Sequence, residues 1–217
     1  MLQKDEVGAV EAMRCFEESI RISELVQVPR LKVEAYWGLT QAYGFRGDLK
    51  TAQQMAADGL AIAQAAGDEW VCACIRLTLG ASFVVAGELE TAVSWINQAT
   101  SAFRDCGDTY GETVGYLWQC LVWYKLADQT RLSRDLGDFL QRVKTHSYEF
   151  LFTHKTLMGP PDPRALVPLL LAAREDDMQT AVATQLLSHM GLAQIKYHPG
   201  YQLSRLLTWP FSFMARR

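Results

Sequence analysis

The feature of this sequence that most restricts its fold is a repeat of forty residues. The pair Gly47-Asp48 recurs as Gly87-Glu88, and Ala127-Asp128 follows after another forty residues. A period of this length is typical of helical hairpins that stack on copies of themselves, because a single hairpin cannot bury its apolar side alone. The repeat therefore predicts an all-α chain, and no sustained strand pattern competes with it.

The clearest copy of the repeat covers residues 80–100, which read GASFVVAGELETAVSWINQAT. Gly80 and Ala92 are small, and Phe83 is large. Small residues at this spacing let two antiparallel helices approach closely, with Phe83 filling the space between them. Gly67 and Gly107 are predicted to end the second helices of successive copies, where a positive φ is needed.

The repeat divides the chain into two parts. Residues 1–143 are predicted to hold the helical repeats, with the first hairpin truncated, because Val7 to about Gln27 matches a second helix and only six residues precede it. The chain is therefore expected to be a fragment or a truncated gene product. Residues 144–217 are predicted to be a C-terminal helical capping segment of the same domain, beginning with a helix over 146–156. Asp176 or Asp177 is expected to cap a later helix.

Composition narrows the classes of partner. The net charge is −3 and the pI about 5.8, so no basic field favours direct nucleic-acid binding by this segment. The apolar runs 77–86 and 165–173 are too short to span a bilayer, and no signal peptide opens the chain. We therefore expect a cytoplasmic protein with no membrane association.

No motif of a known chemistry is present. Cys72 and Cys74 are separated by one residue, a poor spacing for zinc, and we expect the five cysteines to be reduced. Phosphate-binding loops, a nucleophile elbow and a zinc-protease helix are all missing from the sequence. His146 and His154 are eight residues apart, too far to share a metal without further ligands. The sequence therefore predicts no metal, no cofactor and no enzymatic activity. A small all-α enzyme, with a ligand near these two histidines, is the least supported alternative.

Two sets of repeat positions carry a resemblance to a known family. They are Gly80, Phe83, Gly87-Glu88, Ala92, Ile96 and Ala99 in one copy, and Leu39, Tyr43, Gly47-Asp48, Ala52 and Leu60 in another. They resemble the tetratricopeptide repeat (TPR), in the longer variant of MalT-like bacterial transcriptional activators, over residues 7–143. The resemblance implies a right-handed superhelical array of antiparallel helical hairpins, a TPR-like α-solenoid.

The C-terminal part looks like the end of such an array in multidomain regulators. The segments that suggest this are Pro161-Asp162-Pro163 and the Tyr-His-Pro-Gly-Tyr turn at 197–201. In those regulators a winged-helix DNA-binding module commonly follows the turn. The sequence after residue 203 departs from this, because it lacks the pattern of an opening β-strand.

The resemblance also implies a concave groove lined by the first helices of the hairpins. The candidate groove residues are Trp37, Gln41 and Phe45 in one hairpin, Leu77, Ala81 and Val85 in the next, and Leu117, Leu121, Tyr124 and Lys125 in the third. An exposed apolar surface of this kind suits a peptide or a small ligand. Alternatively, the terminal segment or a second subunit buries the groove.

We therefore expect a non-catalytic interaction or effector-sensing domain, part of a bacterial transcriptional regulator. Its partner would be a protein or peptide, a neighbouring domain of the larger regulator, or a small-molecule effector. The alternative is a structural self-association module, such as a homodimer, with no ligand of its own.

Overall fold

The computed structural model describes residues 2–175 and 180–192. In these ranges every regular element is helical, with nine α-helices, two short 3-10 turns and no strand, which confirms the all-α prediction. The predicted cap at Asp176 or Asp177, the turn at 197–201 and the tail beyond it lie outside the described residues.

The helices follow one another with short connections. Their bounds are α1 Leu2–Val26, α2 Pro29–Phe45, α3 Leu49–Ala65, α4 Glu69–Ala86, α5 Leu89–Asp105, α6 Thr109–Leu126, α7 Gln129–His146, α8 Val167–Glu175 and α9 Thr180–His189. The chain divides into two compact units, and in the described residues the boundary falls between Gly107 and Asp108. The predicted division into repeats and cap at residue 143 stays a prediction.

Residues with positive φ recur every twenty positions, where one helix ends and the next begins. They are Gln27, Gly47, Gly67, Gly87, Gly107, Ala127 and Ser147. Gly67 and Gly107, the two predicted helix ends, have φ values of 69° and 72°. Positive φ lets the last helical carbonyls find hydrogen-bond donors, and it costs glycine least. The spacing leaves 17 or 18 residues for each helix from α2 to α7.

An aspartate begins most of these helices. The side chains of Asp48, Asp68, Asp108 and Asp128 each accept a hydrogen bond from the backbone N–H three residues later, at 2.9–3.1 Å. Such a bond satisfies one of the N–H groups that have no partner within the helix. The glycine–aspartate pairs of the repeat therefore end one helix and begin the next.

Helix α4 is the core of the first unit. Its side chains from Val71 to Val85 are buried, apart from the half-buried Arg76, because α2, α3 and α5 all pack against it. At Gly80 a Cβ atom would lie 2.7 Å from Cγ1 of Ile96, and Phe83 is buried nearby on the same helix. The close approach predicted for this hairpin is therefore present. Helix α4 is also long and apolar enough to span a membrane, but buried core helices commonly pass that test.

In the second unit, α6 packs against α7 and α8. The indole N–H of Trp118 donates to the carbonyl of Met158 at 2.8 Å, which ties α6 to the connection before α8. In that connection, the helix predicted over 146–156 is wrong. Helix α7 ends at His146, Ser147 is left-handed, and only a 3-10 turn follows at Glu149–Phe152.

Candidate functional site

The most accessible part of the predicted groove is a pair of tryptophans in the first unit. Trp37 on α2 meets Trp70 on α4 edge-to-face, with ring centroids 6.3 Å apart and an interplanar angle of 86°. The indole N–H of Trp37 donates to the hydroxyl of Thr78 at 2.8 Å. Trp37 is half-buried and Trp70 is 40% exposed. The pair therefore offers aromatic surface whose orientation is already held by α4.

Gln41 and Phe45 follow Trp37 along α2. Both are half-buried, and the spacing of four residues places all three side chains on one side of the helix. Each also has contacts within the protein. These three predicted groove residues are therefore partly accessible.

The predicted groove residues on α4 are in the core instead. Leu77, Ala81 and Val85 are 0%, 1% and 8% exposed. We expected the outer side of a first helix to be open, but α4 is enclosed by α2, α3 and α5. These three side chains pack the first unit and are closed to a ligand in this conformation.

The third set of predicted residues lies in the second unit. Leu117 and Leu121 are completely buried, so they too belong to a core. Tyr124 and Lys125 are half-buried at the end of α6. Burial lowers the pKa of the Lys125 ammonium, because removal from water disfavours its charged form. A surface shared by these residues and those of the first unit stays a prediction.

Trp70 was not among the residues singled out in the sequence. The signal for it was the repeat itself, since Trp70, Tyr110 and Phe150 stand forty residues apart and all are aromatic. In the second unit, Tyr110 stacks on Phe150 at 6.0 Å and meets Tyr148 edge-to-face at 5.5 Å. The second residue of α4, of α6 and of the 3-10 turn at Glu149–Phe152 is therefore aromatic in each case.

Comparisons with known proteins give no match: no family model, curated protein or solved structure is similar to this chain.

Among the described residues, the side chains that could ligate a metal ion are not grouped. In that part of the chain no three His, Cys, Asp or Glu residues are grouped to hold a metal ion, and each buried side-chain nitrogen or oxygen has a hydrogen-bond partner. His146 stacks on Tyr148 at 5.5 Å, and Nδ1 of His154 lies 2.8 Å from the hydroxyl of Thr153. Both histidines are exposed. The tryptophan pair remains the strongest candidate for recognition of a ligand.

Proposed function

We propose that this chain is a non-catalytic α-solenoid of TPR-like hairpins that binds a protein or peptide partner. The twenty-residue spacing of the positive-φ residues supports the solenoid, because equal helices joined by equal turns are the units from which such arrays are built. The right-handed superhelix and the relationship to MalT-like repeats belong to the same proposal.

The tryptophan pair is the single observation that carries the binding role. Aromatic side chains dominate the binding energy of many interfaces, since they bury large areas with few rotatable bonds. The bond from Trp37 to Thr78 holds one ring in place, which lowers the entropy that is lost on binding. An amphipathic helix that inserts an apolar side chain beside Trp70 fits this surface, and Gln41 would supply a polar contact at its edge.

The proposed role in the cell is that of a sensor within a bacterial transcriptional regulator. There the ligand would be a peptide, a small-molecule effector or a neighbouring domain of the same regulator. Trp37 lies on α2, while Trp70 and Thr78 lie on α4. A ligand that binds one arrangement of these two helices better than another would shift their packing, which is sufficient for signalling.

Selection of helical peptides from a displayed library, followed by measurement of their dissociation constants, tests the binding role. We expect Trp70→Ala to weaken the selected peptides at least about tenfold, in the range typical of aromatic interface anchors. Helical circular dichroism should be unchanged, because Trp70 is 40% exposed.

Leu157→Ala is the matched control, since Leu157 is an apolar side chain that is 61% exposed in the second unit. It should leave the affinities unchanged. Peptides that bind the Trp70→Ala variant as tightly as the wild type would refute the proposed surface.

Self-association is the second candidate function, and exposed apolar side chains at one end of the first unit favour it. They are Val10, Ile22, Leu25, Val26, Val28 and Leu31, each between 40% and 70% exposed.

A further inference from the structure

Within the described residues, helix α1 packs on one side and is exposed on the other. On the packed side, the ring of Phe16 lies so close to Gly38 of α2 that a Cβ atom there would collide with it. The opposite side presents a charged stripe of Glu11, Arg14, Glu18 and Arg21. All four are exposed, with 49–75% of each side chain accessible. Their spacing of three, four and three residues places them in one line along the helix.

The charges of this stripe alternate in sign. Arg14 pairs with Glu11 and Arg21 pairs with Glu18, each through two hydrogen bonds within α1. Exposed pairs of this kind add little stability to the helix itself. Each carboxylate can accept further bonds, so the stripe is able to pair with a second helix that carries the complementary order of charges.

The stripe itself has this complementary order of charges when its direction along the chain is reversed. Consider a two-fold axis that crosses α1 at the level of residue 16. Glu11 and Arg21 are both five residues from that level, and Arg14 and Glu18 are both two residues from it. In an antiparallel pair of α1 helices, Glu11 therefore faces Arg21 of the second copy, and Arg14 faces Glu18 of the second copy. Two-fold symmetry repeats both contacts, so four oppositely charged pairs form.

Apolar side chains obey the same symmetry. Val10 and Ile22 are both six residues from the level of residue 16, and they are 50% and 43% exposed. Because a helix turns by about 100° per residue, Val10 and Ile22 lie on opposite flanks of the stripe, so they would border an antiparallel contact at its two edges. An open groove of about 800 Å³ runs beside the stripe, lined among others by Arg14, Glu18 and Leu31. This groove provides space for part of a second helix whose charges pair with the stripe.

We propose that this face of α1 is a homodimer interface, on which a second copy of this chain docks with its own α1 antiparallel. The alternating charges select the register and the antiparallel direction, since a parallel pair in register would place like charges opposite each other. Val10 and Ile22 border the interface on its two flanks.

Charge reversal combined with mixing tests this interface by sedimentation equilibrium. The wild type should show a mass of twice 24.4 kDa that dissociates on dilution. Arg14→Glu alone, or Glu18→Arg alone, creates two like-charged contacts per dimer and should raise the dissociation constant at least about tenfold. An equimolar mixture of the two variants should recover a dimer, because residue 14 of each variant again faces the opposite charge at residue 18 of the other.

Glu90→Arg is the control, since it makes the same change of charge at an exposed position on α5 and should leave dimerisation unchanged. Recovery in the mixture cannot arise from misfolding, because both variants must be folded to pair. A wild type that is monomeric throughout the concentration range would overturn the proposal. So would dimers that neither single reversal weakens, or a mixture that stays monomeric.

Discussion

At the scale of single residues, the most consequential polar contact in the second unit joins α6 to α7. The guanidinium of Arg142 donates two hydrogen bonds to the buried carboxylate of Glu112, at 2.7 and 3.0 Å. It also lies over the ring of Tyr116, 5.0 Å from the centroid. A charge removed from water needs partners of this quality, because otherwise its desolvation is not offset.

We expect Arg142→Ala to lower the free energy of unfolding by about 3 kcal/mol, because a buried carboxylate loses its charged donor. Arg30→Ala is the matched change at an exposed pair, where Arg30 meets Glu34 at 3.4 Å, and should cost less than about 0.5 kcal/mol. Urea denaturation of both variants measures the difference. Similar costs for the two would show that burial of Glu112 does not set the strength of its ion pair.

At the scale of elements, the twenty-residue spacing rests on how each helix begins and ends. Asp48 begins α3 by accepting a hydrogen bond from the backbone N–H of Thr51, whereas Glu88 begins α5 with no such side-chain bond. Hydrogen bonds from the hydroxyl and the backbone N–H of Thr51 lower the pKa of the Asp48 carboxyl. The same residue position therefore contributes differently to two helices of similar length.

We expect Asp48→Ala to destabilise the protein by about 1 kcal/mol at neutral pH, and Glu88→Ala to cost less. The folded-state pKa of Asp48 is lowered, so its contribution is complete above the unfolded pKa of about 3.9 and is lost as the pH falls through the folded value. Denaturation at a series of pH values should therefore show the wild type and Asp48→Ala converging below about pH 4. A difference that persists in acid would mean that the ionised carboxylate is not the stabilising group.

At the scale of the whole molecule, the proposed solenoid differs from a globular bundle in how a local disturbance spreads. In an array each hairpin contacts its sequence neighbours, so stability is close to a sum of local terms. Gly80 provides a local disturbance, since an added methyl group would meet Ile96 on α5. Overpacking of this kind costs about 1–3 kcal/mol.

We expect Gly80→Ala to accelerate amide hydrogen exchange most in α3, α4 and α5, and progressively less towards α9. Gly8→Ala is the control, because the added methyl group would meet no neighbouring helix of the described residues within 4 Å, and exchange outside α1 should stay as in the wild type. An equal loss of protection in every helix would indicate one cooperative globular core and would contradict the solenoid.

Much of the architecture could be predicted from local chemistry. Glycine–aspartate pairs mark where helices end and begin, because capping interactions join residues that are a few positions apart. Gly80 marks a close contact between helices because of its small size. One error was also local in origin. The left-handed Ser147 ends α7 without a glycine, and the aromatic-rich segment after it was mistaken for a helix. Trp70, Tyr110 and Phe150 recur at intervals of forty residues in the sequence. Only the contact between Trp70 and Trp37 in the structure makes Trp70 a candidate binding residue.

Most of the helices can be read from the amino-acid sequence alone, because periodicity and capping depend on near neighbours along the chain. Which sides of those helices are covered depends on contacts between residues far apart in the sequence. Trp37 and Leu77 occupy the same position of the forty-residue repeat, yet Trp37 is half-buried and Leu77 is completely buried. Helix α2 contacts three other helices, just as α4 does, so the difference arises from which side of each helix those neighbours cover. A repeat register sets the direction of a side chain relative to its own helix, whereas burial depends on which sides of that helix its neighbours cover.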